Sequence, residues 1–423
     1  LVKDPTLIPQ DKPWTIEIYK SLAGEFRSLN QFNNAVETYN LILQKWPMDP
    51  TAPDVQNEIA LTYDQMGVTK KPGTPEHDAI AAKALQARTA LANYIGNTPW
   101  VDANKENPGA IQNAERLVRG GLRQAAAQHT TNARAAVAQA QNSSNPQEQI
   151  NLLSRAANEY KLAATGWYGY LKQDENAPDA YESRYWNADA RRNYVRIQVT
   201  LHNANKSFNE PSKKDIDEAL LAAVEVRDSN EDDKYLDNAA LFVVDVSDVD
   251  RDLAYARHKE GGLGIEKREE VKFDGQDPAT RNVIKDVVPP VVQQSLNARD
   301  EFIHIVPPNL DPQKRGLEYE YFIAETYFLY GQFDEAKKRF DKMWKDNCGK
   351  NEYGFKAWER LLTMATVTRN EEDALKLSEA EKQHTCAVSA EQAEQGGKMT
   401  GPISQEAAYI KARECDPTSA FGG

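Results

Sequence analysis

Chemistry in this chain would have to come from six histidines, three cysteines and a few clustered carboxylates. The histidines, His77, His129, His202, His258, His304 and His384, are scattered. None stands in a His-Glu-x-x-His pair, the spacing that sets two imidazoles on one helical face for zinc. There is no Gly-x-Ser-x-Gly nucleophile elbow and no Gly-x-x-x-x-Gly-Lys phosphate loop. Gly261-Gly262-Leu263-Gly264 has no strand before it and reads as a loop. Asp245, Asp248 and Asp252 are spaced three and four apart, which puts three carboxylates on one helical face. An EF-type calcium loop needs glycine at its sixth position, and counting from Asp248 that place is held by Leu253. The trio is therefore read as a solvated acidic face whose repulsion a basic partner would relieve, with ion binding left open. No catalytic residue, cofactor or metal set is assigned, and the chain is read as non-enzymatic.

Bulk properties narrow the partners. The chain has 423 residues, 40% hydrophobic and 27% charged, with a net charge of −13. Nucleic acid demands a basic stripe, so the acidic balance argues against it, while basic partners or plain solubility both fit. No apolar run reaches the roughly 18 residues that a membrane span requires. The chain begins at Leu1 without a methionine or a charged-then-apolar leader, which suits a mature product or an excised fragment; a removed signal peptide stays open.

The elements that must position any site are helical and recur. Counting from Leu317, Ile323 and Ala324 fall at positions 7 and 8, Tyr327 at 11, Gly331 at 15, Phe333 at 17, Ala336 at 20, Phe340 at 24 and Met343 at 27. The two alanines let antiparallel helices approach closely, Gly331 permits the turn, and aromatics fill the space around the small residues. Counting from Phe355 gives Trp358, Leu361, Leu362, Ala365 and Ala374 at 4, 7, 8, 11 and 20. Counting from Ile16 gives Tyr19, Leu22, Ala23, Phe26, Phe32, Ala35, Tyr39, Ile42 and Pro47 at 4, 7, 8, 11, 17, 20, 24, 27 and 32. This pattern resembles the tetratricopeptide repeat (TPR) family. The resemblance implies an all-α, TPR-like α-solenoid, a right-handed superhelix of antiparallel helix pairs whose hairpins bury their faces only against neighbours.

The remainder supplies irregular helices. A unit near Pro53 is interrupted by the insertion Val68 to Pro75 and resumes from Ala79 to Ile95. Alanine-rich Asn107 to Ala140 predicts one long helix. Asn145 is placed to cap the helix that Pro146 starts. Further helices are predicted over Lys213 to Arg227 and Tyr235 to Arg257, the second as helix despite the β-branched run within Ala239 to Val246. Gly261 to Asp286 reads as a mobile loop or partial boundary, Pro290 to Ile303 as a helix, and Ser404 to Cys415 as a capping helix. The expected division is 1–106 for N-terminal TPR units and 107–260 for long helices. Then come 261–316 for the loop and connecting helix, 317–390 for the C-terminal TPR pair, and 391–423 for the cap and tail.

In the TPR family the first helices of successive units line a groove through positions 2, 5, 9, 12 and 13. That implies candidate partner-binding residues Glu318, Tyr321, Glu325, Phe328 and Leu329, then Lys356, Glu359 and Thr363. It also implies Glu17, Lys20 and Arg27 in the first unit, and Asp54, Asn57 and Asp64 in the second. Cys348 and Cys386 both fall at position 32. A bridge between them requires helix ends about 8–10 Å apart to converge within about 7 Å. Free thiols, or pairing through Cys415, are the alternatives. The stretch Asp346 to Glu359 is similar to large TPR proteins of the myxobacterial cell envelope, some tied to gliding motility. This implies a periplasmic scaffold in a motility or transport complex, binding peptide segments or subunits of other proteins, with a cytoplasmic location as alternative. A different reading starts from Glu182-Ser183, a pair that resembles the acid-serine step of superhelical lytic transglycosylases and implies a peptidoglycan-acting enzyme or its accessory. No Gly-Leu-Met-Gln segment accompanies it.

Overall fold

The structure is a computed structural model that describes residues 12, 14–70, 74–231, 233–348 and 350–382. Every regular element among them is helical. The chain divides into two compact units, Leu1–Asp232 and Asp233–Gly423. The C-terminal capping helix expected over Ser404 to Cys415 lies outside the described residues.

In the first unit α1 (Thr15–Ser28) and α2 (Phe32–Lys45) form a hairpin, and α3 (Ala52–Val68) packs on α2 and on α4 (Pro75–Thr89). Ala23 and Ala35 are fully buried where the first two helices meet, with Tyr19, Tyr39, Ile42 and Ile59 filling the surrounding core. The turn has a defined form. Asn30 takes φ 59°, its N–H donates to the Arg27 carbonyl at 3.0 Å, and the Gln31 N–H donates to the Phe26 carbonyl at 2.8 Å. That pair of bonds is a Schellman motif, which satisfies the orphan carbonyls of the first helix while reversing the chain.

The same motif recurs three times in the second unit, once where Gly261 and Gly262 donate to the His258 and Arg257 carbonyls at 3.0 and 2.8 Å, and twice in hairpins. In the hairpin of α12 (Arg315–Leu329) and α13 (Phe333–Asn347), Gly331 has φ 68°. Its N–H donates to the Phe328 carbonyl at 2.9 Å, and Gln332 donates to Tyr327 at 2.9 Å. In the next, α14 (Glu352–Val367) and α15 (Glu371–Lys382), Arg369 has φ 57°, donating to Thr366 at 3.1 Å while Asn370 donates to Ala365 at 2.8 Å. In the three hairpins the left-handed residue occupies position 15 of its counted unit. Ala324 and Ala336 are fully buried at the α12–α13 contact, and Phe340, Met343, Trp358 and Leu361 complete that core.

Between these regular hairpins the helices lengthen. α5 (Pro99–Asn104) is short. α6 (Pro108–Asn142), α7 (Pro146–Gln173) and α8 (Ala180–Ala204) pack in sequence along an alanine-lined seam. A Cβ at Gly166 would lie 2.9 Å from that of Ala126, so these helices approach more closely than larger side chains allow. The Asn145 side chain accepts the Gln147 and Glu148 N–H groups at 3.0 and 3.3 Å, capping α7 ahead of Pro146. Buried across the seam, His129 Nδ1 sits 2.7 Å from a Glu159 oxygen, to which Asn132 also donates at 3.3 Å. Burial pushes the Glu159 carboxyl up, but the His129 and Asn132 hydrogen bonds outweigh it and hold it below its ordinary value. α9 (Lys213–Arg227) closes the unit behind a reciprocal Ser212–Asp215 capping box.

In the second unit, Ala239 to Val246 is helical within α10 (Leu236–Lys259), which packs on α11 (Pro290–Ile305). Burial of Phe242, Val244 and Val246 on that helix overrides the strand preference of its valines. Residues 261–289 are not a loose connector. Phe273 and Val283 form an antiparallel bridge, the Asp286 N–H donates to the Tyr330 carbonyl at 2.9 Å, and Gln332 donates to the Asp286 carbonyl at 2.8 Å. Arg268 pairs with Asp286 and lies 5.4 Å over the Tyr330 ring, and Arg369 donates to the Arg281 carbonyl. The segment thus straps the turns of two successive hairpins.

The turn geometry sets opposite outcomes for two glycines. A Cβ at Gly331 would run into the Ile284 carbonyl in a left-handed residue, whereas nothing lies within 4 Å of one at Gly24, inside α1. Gly331→Ala should cost about 1–3 kcal/mol in denaturant unfolding, and Gly24→Ala should stabilise by roughly 0.5–1 kcal/mol. The Glu159 pairing predicts a pH effect. Because its folded pKa is depressed, its contribution is present above the ordinary value of 4.5 and is lost as pH falls below that value. In acid unfolding followed by circular dichroism, Glu159→Gln should flatten the pH dependence in that window.

Candidate partner-binding surfaces

Two faces carry the candidate residues, one in each unit. In the first, α1 places Lys20 and Arg27 beside its buried row of Ile16, Tyr19 and Ala23, and α3 brings Asp54 and Glu58 opposite. Arg27 pairs with Glu58. Lys20 pairs with Glu17 at 3.0 Å and donates to the Thr51 hydroxyl. Asn113 of α6 donates to both Asp54 oxygens at 2.9 Å, fixing that carboxylate. Lys20, Tyr39, Thr51, Asp54, Val55 and Glu58 line an open cavity of about 210 Å³. Tyr39 contributes to it from α2, only 4% exposed. Burial, then the Glu58 charge, push its phenol up, with Arg27 partly opposing.

Of the residues expected on this face, Lys20 and Asp54 therefore meet at one cavity, with Glu17 and Arg27 attached to its rim through ion pairs. Asp64 is engaged elsewhere, by Arg88 of α4, and half-buried Asn57 lies outside the lining. Tyr39, Thr51, Val55 and Glu58 were missed because the family count reserves Tyr39 for packing and does not reach the loop or position 6. One signal was available: Arg27–Glu58 and Lys20–Thr51 are each 31 residues apart, close to one repeat length.

The second unit's face departs from expectation at its aromatics. Phe328 is buried at 6% exposure, stacked on Phe333 with ring centroids 5.4 Å apart, and Leu329 packs against the same core. Half-buried Tyr321 rests against Phe340 and Tyr353, each 5.8 Å away between centroids. These rings are packing residues because successive helices close over them. What faces outward is charged. Glu325 binds Arg360 through two hydrogen bonds of 2.7 and 2.8 Å, Lys356 pairs with Glu352 at 2.5 Å, Glu318 is exposed, and Glu359 and Thr363 are half-buried. Burial and then Glu325 push the Tyr321 phenol well up. Burial would lower Arg360, but its bonds to Glu325 raise it overall.

The acidic trio on α10 is solvated only in part: Asp252 is exposed, whereas Asp248 is drawn into a network of arginines. Asp248 accepts two bonds from Arg299 at 2.7 and 2.6 Å, one from Ser295 at 2.7 Å and one from Arg251 at 2.9 Å. Arg251 also binds Asp252 at 2.8 Å, and both guanidiniums lie over Phe322, at 5.2 and 4.1 Å. Arg299 stands 51 residues from Asp248, beyond any local spacing rule. Glu182 and Ser183 do not form an open acid site: Ser183 is 1% exposed within α8, and Glu182 accepts the Trp186 indole N–H at 3.3 Å. Among the described residues no group of three or more His, Cys, Asp or Glu side chains is placed to hold a metal, and no helix is long and apolar enough to cross a membrane. Cys348, at the end of α13, is disulfide-bonded, while Cys386 lies outside the described residues.

Compared with protein-family models and with curated proteins, the chain matches none.

Removing Arg299 costs Asp248 two charge-assisted hydrogen bonds while Arg251 and Ser295 still hold it. Arg299→Ala should therefore destabilise the protein by about 1.5–3 kcal/mol. Asp252→Asn, at a side chain 62% exposed, should change the unfolding midpoint by less than about 0.5 kcal/mol equivalent.

Proposed function

We propose that this chain is a non-catalytic protein-interaction scaffold whose two units are built from TPR-like α-solenoid hairpins. The observation that carries the reading is the same Schellman turn at position 15 of three hairpins, at Asn30, Gly331 and Arg369. Within a unit, first helices that lie side by side offer a surface for another polypeptide. The paired charges between α1 and α3, and between α12 and α14, support recognition by polar complementarity. The disulfide at Cys348 supports an oxidising compartment, in keeping with a periplasmic subunit of an envelope complex. The likeness of Asp346 to Glu359 to envelope TPR proteins points the same way, toward motility or transport machinery.

Crosslinking in intact cells, followed by capture of the tagged full chain from the envelope fraction, should recover specific protein partners. Crosslinks should concentrate on α1, α3, α12 and α14. Recovery of no protein above an untagged control, together with cleavage of isolated glycan strands by the pure chain, would reject the scaffold in favour of a peptidoglycan-acting role.

A further inference from the structure

The cavity between α1, α2 and α3 has a polar group without a use. Tyr39 is 4% exposed, and among the described residues its hydroxyl has no hydrogen-bond partner. The hydroxyl is not sealed from solvent, so water or an incoming group pairs with it in the roughly 210 Å³ that Tyr39 lines. The walls offer mainly acceptors: the Asp54 carboxylate, the Glu58 carboxylate beyond the oxygen that Arg27 holds, the Thr51 hydroxyl, which itself donates to Asp49, and the Tyr39 oxygen. Asn113 occupies one lone pair on each Asp54 oxygen and holds the carboxylate in place without neutralising it. Val55 and the Tyr39 ring supply an apolar flank. Lys20 is the one cation in the lining, and Glu17 and Thr51 hold it.

We propose that this cavity receives the lysine or arginine side chain of the bound partner. An ammonium or guanidinium is a pure donor and matches four acceptors, while its aliphatic stem lies along Val55 and the Tyr39 ring. A carboxylate entering the same space would meet two others, a like-charge contact that disfavours it. The net charge of −13 draws a basic segment toward the chain before docking. This assignment rests on the scaffold reading and specifies the chemistry of what that scaffold holds.

The test titrates the full chain, carrying ring-labelled tyrosine, with three probes: Nα-acetyl-lysine N-methylamide and its norleucine and glutamate counterparts. The Tyr39 signal is identified by its loss in Tyr39→Phe. The lysine probe should shift that signal saturably, and the other two should not. Asp54→Asn and Glu58→Gln should each weaken lysine binding by about threefold to tenfold, and Lys20→Met should strengthen it by a similar factor. Thermal melts confirm that each variant folds, and because Glu58 also pairs with Arg27, Asp54→Asn and Lys20→Met suffice if Glu58→Gln does not. The assignment is overturned if the lysine probe leaves Tyr39 unmoved, if all three probes shift it alike, or if glutamate binds and Lys20→Met abolishes that binding. Partners still captured by crosslinking after such a result leave the scaffold standing and remove only the basic-side-chain assignment.

Discussion

Close approach of consecutive antiparallel helices through small side chains is the constraint from which the rest follows. Ala23 and Ala35, Ala324 and Ala336, and Ala126 are fully buried between packed helices, the last close against Gly166. A larger side chain there would separate the helices and open the aromatic packing around them, and dense interiors relax little to fill such gaps. Each close contact also needs a tight reversal at its end, which the left-handed residue and its paired carbonyl bonds provide. Arg369 shows the strength of that demand. A non-glycine residue accepts a conformation costing roughly 1–2 kcal/mol, and its side chain is tied to the Arg281 carbonyl of the strap.

With helices so close, the polar residues on their facing edges must be satisfied laterally. This is why the first-helix faces carry pairs that join successive helices, Arg27 to Glu58 and Arg360 to Glu325, rather than isolated charges. Half-buried pairs of this kind hold the faces in register more than they add stability, since desolvation offsets much of the attraction. Not every polar group is satisfied this way: the buried Tyr330 hydroxyl and Ser247 hydroxyl have no partner among the described residues, and Tyr39 lines the cavity of the first unit's face.

The Asp248 network applies the same rule in the interior. A carboxylate shared by two arginines and a serine, with both guanidiniums stacked on Phe322, joins α10 to α11 and α12 through directional bonds. Apolar packing alone would tolerate sliding of one helix on another. The strap over residues 261–289 binds loop to turn in this unit, through the Asp286 N–H on the Tyr330 carbonyl and the Arg369 side chain on the strap's Arg281 carbonyl.

The sequence by itself determined the helices and their small-residue contacts. Alanine spacing, proline stops and the Asn145 cap are local, and helix formation reads local signals. It also determined the long α6, because 107–140 offers alanine and few large apolar residues to interrupt it. Of the positions that the repeat count singles out, Lys20 and Asp54 line one cavity, whereas Phe328 turns into the core. A residue's helical face follows from its number, but whether that face is covered depends on the next helix. Tertiary structure alone decided that Arg299 reaches Asp248 across 51 residues, that the glycine-rich segment straps two turns, and that Tyr39 borders a cavity. Each depends on where distant helices come to rest, and no periodicity along one chain encodes a distance between two of them.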